Sequence, residues 1–136
     1  MAMTAIVADT SAFVAIFKSE AMAFALRETV SRSSKVIVPA VCLVELALLR
    51  RVDEQLHMWA AELVRGQPYE LASTSVSEAR IASEAAGLYG KGSGHRAQLN
   101  FGDCLIYAAA KHRNLPLLFV GQDFAHTDIV PALKHE

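Results

Sequence analysis

Thr4-Ala5-Ile6-Val7-Ala8-Asp9-Thr10-Ser11 is the stretch on which the fold turns. Its apolar run is too short for a free-standing helix, and a polar trio closes it. That pattern suits a central strand. Asp9 then stands at the C-terminal end of the strand, with Thr10 or Ser11 placed to cap a following helix. Phe13, Val14, Phe17, Ala21 and Phe24 continue at roughly helical spacing to about Thr29, with Ser19 and Glu20 as a break between two helices.

Further along, Lys35-Val36-Ile37-Val38 is a second β-prone run, closed by Pro39. Leu43, Leu46, Ala47 and Leu49 form a helical band ending near Arg50 and Arg51. Asp53 is placed to cap a helix carrying Leu56, Trp59, Ala60 and Leu63, which Gly66 and Pro68 stop. Tyr69–Ala72 reads as a third strand, and a helix capped by Ser75 or Ser77 runs through Ala79, Ala82, Ala86 and Tyr89. Gly90, Gly92 and Gly94 mark a loop, Phe101–Arg113 a helix, Leu117–Val120 a buried strand and Asp128–Val130 a final short strand. Strands alternating with helices predict a three-layer α/β/α domain, spanning residues 1–136, around a central and mostly parallel sheet. The strand order is not readable from periodicity.

With 136 residues, 53% of them apolar and 20% charged, the chain suits one globular domain and excludes disorder. Thirteen Lys and Arg against fourteen Asp and Glu give a charge of -1. That balance excludes a strong overall basic field, though not a local phosphate-binding patch. Cys42 and Cys104 sit among apolar residues and read as reduced core thiols. No basic leader with a small-residue cleavage site opens the sequence, and no apolar stretch is long enough to span a bilayer. A soluble cytoplasmic protein, without membrane attachment, is the expectation.

Three acids stand in surroundings hostile to charge. Asp9 follows an apolar strand, Glu45 lies inside Val41-Cys42-Leu43-Val44-Glu45-Leu46-Ala47-Leu48-Leu49, and Asp103 precedes Cys104-Leu105-Ile106-Tyr107-Ala108-Ala109-Ala110. Such carboxylates need a cation, a helix N-terminus or hydrogen-bond donors. Plainer roles stand beside this: Asp9 as a strand-to-helix cap, Asp103 favouring the positive end of its helix, Glu45 on a wet helix face. Asp123 follows the strand at 117–120 and is a fourth candidate, with Asp128 nearby. Ligands of open α/β sheets gather where the parallel strands end, and Asp9 and Asp123 are both delivered there. Four converging carboxylates repel unless a hard divalent cation, Mg²⁺ or Mn²⁺, offsets them. Such an ion suits hydrolysis of a phosphodiester. No Gly-x-Ser-x-Gly elbow or phosphate-loop Lys-Ser/Thr ending is present.

In the order of these acids the sequence resembles the PIN-domain ribonucleases, and among them the VapC toxins of toxin–antitoxin pairs. Four segments carry the resemblance: Val7-Ala8-Asp9-Thr10-Ser11-Ala12; Val44-Glu45-Leu46; Leu99-Asn100-Phe101-Gly102-Asp103-Cys104 with Tyr107-Ala108; and Phe119-Val120-Gly121-Gln122-Asp123-Phe124 with Thr127-Asp128. Gly90-Lys91-Gly92-Ser93-Gly94-His95 is similar to the family's loop before its third acid. The resemblance implies metal-dependent cleavage of RNA, with Asp9 and Asp103 as main ligands of Mg²⁺ or Mn²⁺. Glu45 would add a ligand or orient water, and Asp123 would be the fourth acid. It also implies a small cognate antitoxin as partner and a toxin homodimer that assembles with it into a larger complex.

Thr10 or Ser11 is expected to hydrogen-bond a carboxylate or a substrate phosphate. Arg50, Lys91, His95 and Arg96 are candidate phosphate contacts of local reach, with an ordinary solvated loop and helix end as the plainer alternative. Phe13, Phe17 and Phe24 read as core or subunit contacts, and Trp59 as core or part of an antitoxin groove. The alternative function is a catalytically inactive PIN-like module that binds protein or RNA without cutting.

Overall fold

The computed structural model describes residues 4–134; residues 1–3 and 135–136 of the expected domain lie outside the described residues. Strand β1 (Ala5–Ala8) leads into α1 (Thr10–Phe17) and α2 (Ala23–Ser31). β2 (Lys35–Pro39) is followed by α3 (Ala40–Leu48), a 3-10 turn (Leu49–Arg51) and α4 (Glu54–Leu63). Then come β3 (Tyr69–Ala72), α5 (Val76–Tyr89), α6 (Phe101–Arg113), β4 (Leu117–Leu118) and a second 3-10 turn (Phe124–His126). The break expected at Ser19 and Glu20 is present, and α6 has the expected bounds. Asp53 caps α4 through Leu56 N–H, and Ser75 forms a reciprocal capping box with Glu78 at the start of α5.

The four strands pair in the order β3-β2-β1-β4, all parallel. β1, with partners on both sides, is the central strand its sequence predicts: Ile6, Val7 and Ala8 are buried. Val36 and Val38 of β2 join them. The chain moves from β1 to β2 to β3 in one direction and then crosses back to β4. Right-handed crossovers therefore put the two sets of helices on opposite faces of the sheet. α1 packs with α2 and α4, α5 packs along α6, and α3 touches α1, α4 and α6. Phe13 and Leu26 fill the core beside the strands, each contributing roughly 1.5–3 kcal/mol by burial. Both cysteines are free and buried. Phe24, by contrast, is 72% exposed and does not join the core.

Two expected strands are corrected. β4 covers only Leu117–Leu118 rather than 117–120. It can pair no further than β1 runs: Asp9 N–H makes the last rung, to Leu118 O, and Val120 N–H donates instead to Ser11 Oγ. The strand expected at Asp128–Val130 is a single bridge between Leu117 and Pro131. Pro131 has no N–H to extend the ladder. Among the described residues no helix is long and apolar enough to cross a membrane.

Candidate active site

β1 lies between β2 and β4, so the chain leaves it one way and returns on its other side. A reversal of this kind opens a crevice outside the C-terminal ends of the two strands. Asp9 sits there at the end of β1, and Asp123 follows β4 after a short turn. α3 brings Glu45, and the first turn of α6 brings Asp103.

Each acid is fixed by its local chain. Asp9 itself, rather than Thr10 or Ser11, is the N-cap of α1. It has the extended backbone an N-cap requires, and its Oδ2 accepts from Ser11 N–H at 3.0 Å. Asp103 closes a capping box on α6: Asn100 Oδ1 accepts from Asp103 N–H at 2.8 Å, and Asp103 Oδ2 accepts from Asn100 N–H at 3.1 Å. The plainer structural roles of both acids are thus real. They also leave the acids aimed together. Glu45, half-buried, accepts on Oε1 from Thr10 Oγ1 at 2.5 Å. Its Oε2 lies against Gly102, where a Cβ would stand 2.3 Å from it. Of the two alternatives for Thr10, the carboxylate is the partner found. Ser11 also serves a carboxylate, that of Asp9, while its Oγ accepts from Val120 N–H and holds the chain after β4 to the start of α1.

The charges feel one another. Burial pushes the Asp9 carboxyl up to about 7, the Ser11 hydrogen bonds oppose the shift, and the neighbouring Asp103 and Glu45 add to it. Burial also raises Asp103. Asn100 N–H resists, Asp123 and Glu45 push it further, and Lys91 draws it back. Asp9, Glu45, Asp103 and Asp123 thus share one electrostatic neighbourhood, with Lys91 at its edge.

Among the described residues, however, no three Asp, Glu, His or Cys side chains are gathered into a ready coordination shell. Asp9, Glu45 and Asp103 each engage one oxygen with donors of their own surroundings. The donor set is nevertheless all hard oxygen, with Asp9 and Asp103 buried, Glu45 half-buried and Asp123 exposed, which fits Mg²⁺ or Mn²⁺ and not a soft metal.

Asp128 does not belong to this group. Its Oδ1 accepts from Tyr107 OH at 2.6 Å and its Oδ2 from Lys111 Nζ at 3.0 Å, farther along α6. Of the candidate phosphate contacts, Lys91 and Arg96 are exposed in the loop between α5 and α6. That loop is closed at its base by Lys91 N–H to Leu99 O and Leu99 N–H to Tyr89 O. His95 is turned into the loop, edge-on to Tyr89, and its Nδ1 accepts from Ala97 N–H. Arg50 and Arg51 line an open cleft of about 710 Å³ with Ala47, Leu48 and Glu54, and none of the four acids borders it. Gly102 is the residue that sequence reading missed. Its signal is a glycine, a poor helix former, in the first turn of an otherwise alanine-rich helix.

The model of the PIN domain matches residues 6–130. Ribonuclease VapC42 of Mycobacterium tuberculosis is 41% identical over 128 residues, covering 93% of this chain and 98% of that protein. Among solved structures, Mycobacterium tuberculosis VapC20, described as a sarcin-ricin loop cleaving toxin, superposes with a TM-score of 0.73 at 18% identity. That match covers 92% of this chain and 96% of the other. A chain of a toxin-antitoxin complex from Klebsiella pneumoniae gives a TM-score of 0.70 at 17% identity, covering 96% and 99%.

Proposed function

Because this chain belongs to the PIN-domain family, with VapC ribonucleases among its relatives, we propose that it is a metal-dependent endoribonuclease, the toxin of a toxin–antitoxin pair. The observation that carries this reading is the buried Asp9 carboxyl, which feels both Glu45 and Asp103 although three separate elements deliver them. Carboxylates drawn together and buried in this way are a recurring mark of functional sites.

Asp9 and Asp103 are the proposed main ligands of Mg²⁺ or Mn²⁺, with Glu45 and Asp123 completing the oxygen set. When bound, such an ion supplies Lewis acidity toward a phosphodiester oxygen and a lowered pKa for the attacking water. Glu45, held by Thr10, orients that water. Lys91, Arg96 and Arg50 meet RNA phosphates, and the Lys91 charge reaches Asp103. His95, held in the loop through Nδ1, is the remaining proposed phosphate contact.

The proposed partner is a small antitoxin. Trp59, stacked at a tilt on Phe17, borders a cleft of about 380 Å³ with Ile16, Val30, Leu63 and Tyr69, which suits an apolar anchor. A homodimer acting in the cytoplasm, and a larger complex with antitoxin, complete the reading, with residues 1–136 as one domain.

The test incubates purified protein with total RNA, with and without EDTA, and maps new 5′ ends. Cleavage by the wild type that EDTA, Asp9→Asn and Asp103→Asn each abolish is the expected result. RNA binding that leaves every strand intact with either metal would instead favour the non-cutting interaction module.

A further inference from the structure

Glu45 is reached from two sides. Thr10, the first residue of α1, holds Oε1. Oε2 rests on Gly102, the second residue of α6. Gly102 is buried and helical, and its backbone does not require a glycine: it is absent from the positive-φ positions. Its missing side chain is therefore what matters. A Cβ there would lie 2.3 Å from Glu45 Oε2 and 3.0 Å from the carboxylate carbon, well inside van der Waals contact. All three nearest atoms belong to the Glu45 carboxylate and none to backbone. A side chain at 102 would thus displace the acid rather than the helix.

We propose that Gly102 is a positioning residue: by lacking a side chain it lets the Glu45 carboxylate seat against the first turn of α6, on the side of Asp103, where both could serve one divalent ion. The inference rests on the metal-dependent reading of these acids. It separates two quantities that a merely structural glycine would move together. Alanine is the better helix former, and the obstructing group is the end of a flexible side chain. Stability is therefore retained or improved while the acid site is spoiled.

The experiment measures Mn²⁺ binding to the RNA-free protein by electron paramagnetic resonance, together with melting temperature. Gly102→Ala should melt at or above the wild type in EDTA, bind Mn²⁺ at least about tenfold more weakly, and lose RNA cleavage in proportion. Glu45→Asp retracts the carboxylate by one methylene, about 1.5 Å. It should weaken Mn²⁺ binding in the wild-type background yet strengthen it in Gly102→Ala, a reversal that marks direct contact. Gly102→Ala binding Mn²⁺ within about twofold of wild type, or melting well below it, would overturn the inference while leaving the ribonuclease reading intact. A wild type that neither binds Mn²⁺ nor cleaves RNA would overturn both.

Discussion

Thr10 Oγ1 donates to Glu45 Oε1 at 2.5 Å, joining residues 35 positions apart in sequence and tying the first turn of α1 to the middle of α3. A hydrogen bond onto a charged acceptor is worth about 1.5–3 kcal/mol, and its loss frees the carboxylate to turn. Thr10→Val should lower RNA cleavage about 10- to 100-fold, the usual cost of removing a residue that orients a ligand, and lower the melting temperature by several degrees. Thr10→Ser should retain most activity. Equal loss in both variants would show that the hydroxyl alone does not carry the effect.

Asp9 is the acid most out of place without an ion. Burial, with Asp103 and Glu45 adding to it, lifts it from 3.8 to about 7. A group whose pKa rises on folding stabilises the fold fully below its unfolded value, and that contribution is lost as pH climbs through the folded value. Asp103 shifts in the same direction. In EDTA the wild type should therefore lose melting temperature as pH rises from about 4 to about 7, while Asp9→Asn loses less and melts higher at about pH 8. Parallel curves for the two proteins would contradict the assignment.

Glu78 behaves in the opposite sense. Burial alone would raise its pKa, but Arg113 Nη1 at 2.7 Å and the Ser75 donors hold it below 4.5. Its contribution is present above the unfolded pKa and disappears as pH falls through the folded one. The pair joins the start of α5 to the end of α6, and only 5% of the Glu78 side chain is exposed. Arg113→Ala, which strands that carboxylate, should cost about 3 kcal/mol in urea unfolding at neutral pH. The deficit should shrink at acid pH. A deficit below about 0.5 kcal/mol would place Arg113 among ordinary surface cations.

Lys91 draws the Asp103 pKa down and is exposed at the mouth of the acid cluster. If it meets an RNA phosphate, Lys91→Ala should weaken binding of all RNA sequences alike and reduce the logarithmic salt dependence by about 0.7. Binding measured by fluorescence anisotropy across a salt series checks this. An unchanged slope would confine Lys91 to tuning Asp103.

What the sequence made legible was local. Val7 and Asp9 mark the end of a buried strand, Asp53 and Ser75 cap their helices, and α6 runs over the expected Phe101–Arg113. Whatever depends on distant segments was hidden. The length of β4 is set by where β1 stops and by Ser11 capturing Val120 N–H, 109 positions away. Gly102 gains its meaning only when α3 lies across α6. The apolar spacing that suggested a core place for Phe24 is satisfied by Leu26, which is fully buried while Phe24 faces outward. Asp123 and Asp128 differ by nothing in their neighbouring sequence as decisive as Lys111, which pairs with the second alone.

The pairing of β1 with β4 also governs when the acid pocket of this molecule can be complete. Val7 and Asp9 bond to Pro116 and Leu118, and Val120 grips Ser11. While a ribosome is still short of Pro116, β1 has an open edge, the turn bearing Asp123 does not exist, and nothing anchors the start of α1 from that side. The order of synthesis thus withholds the finished pocket until nearly the whole chain has emerged.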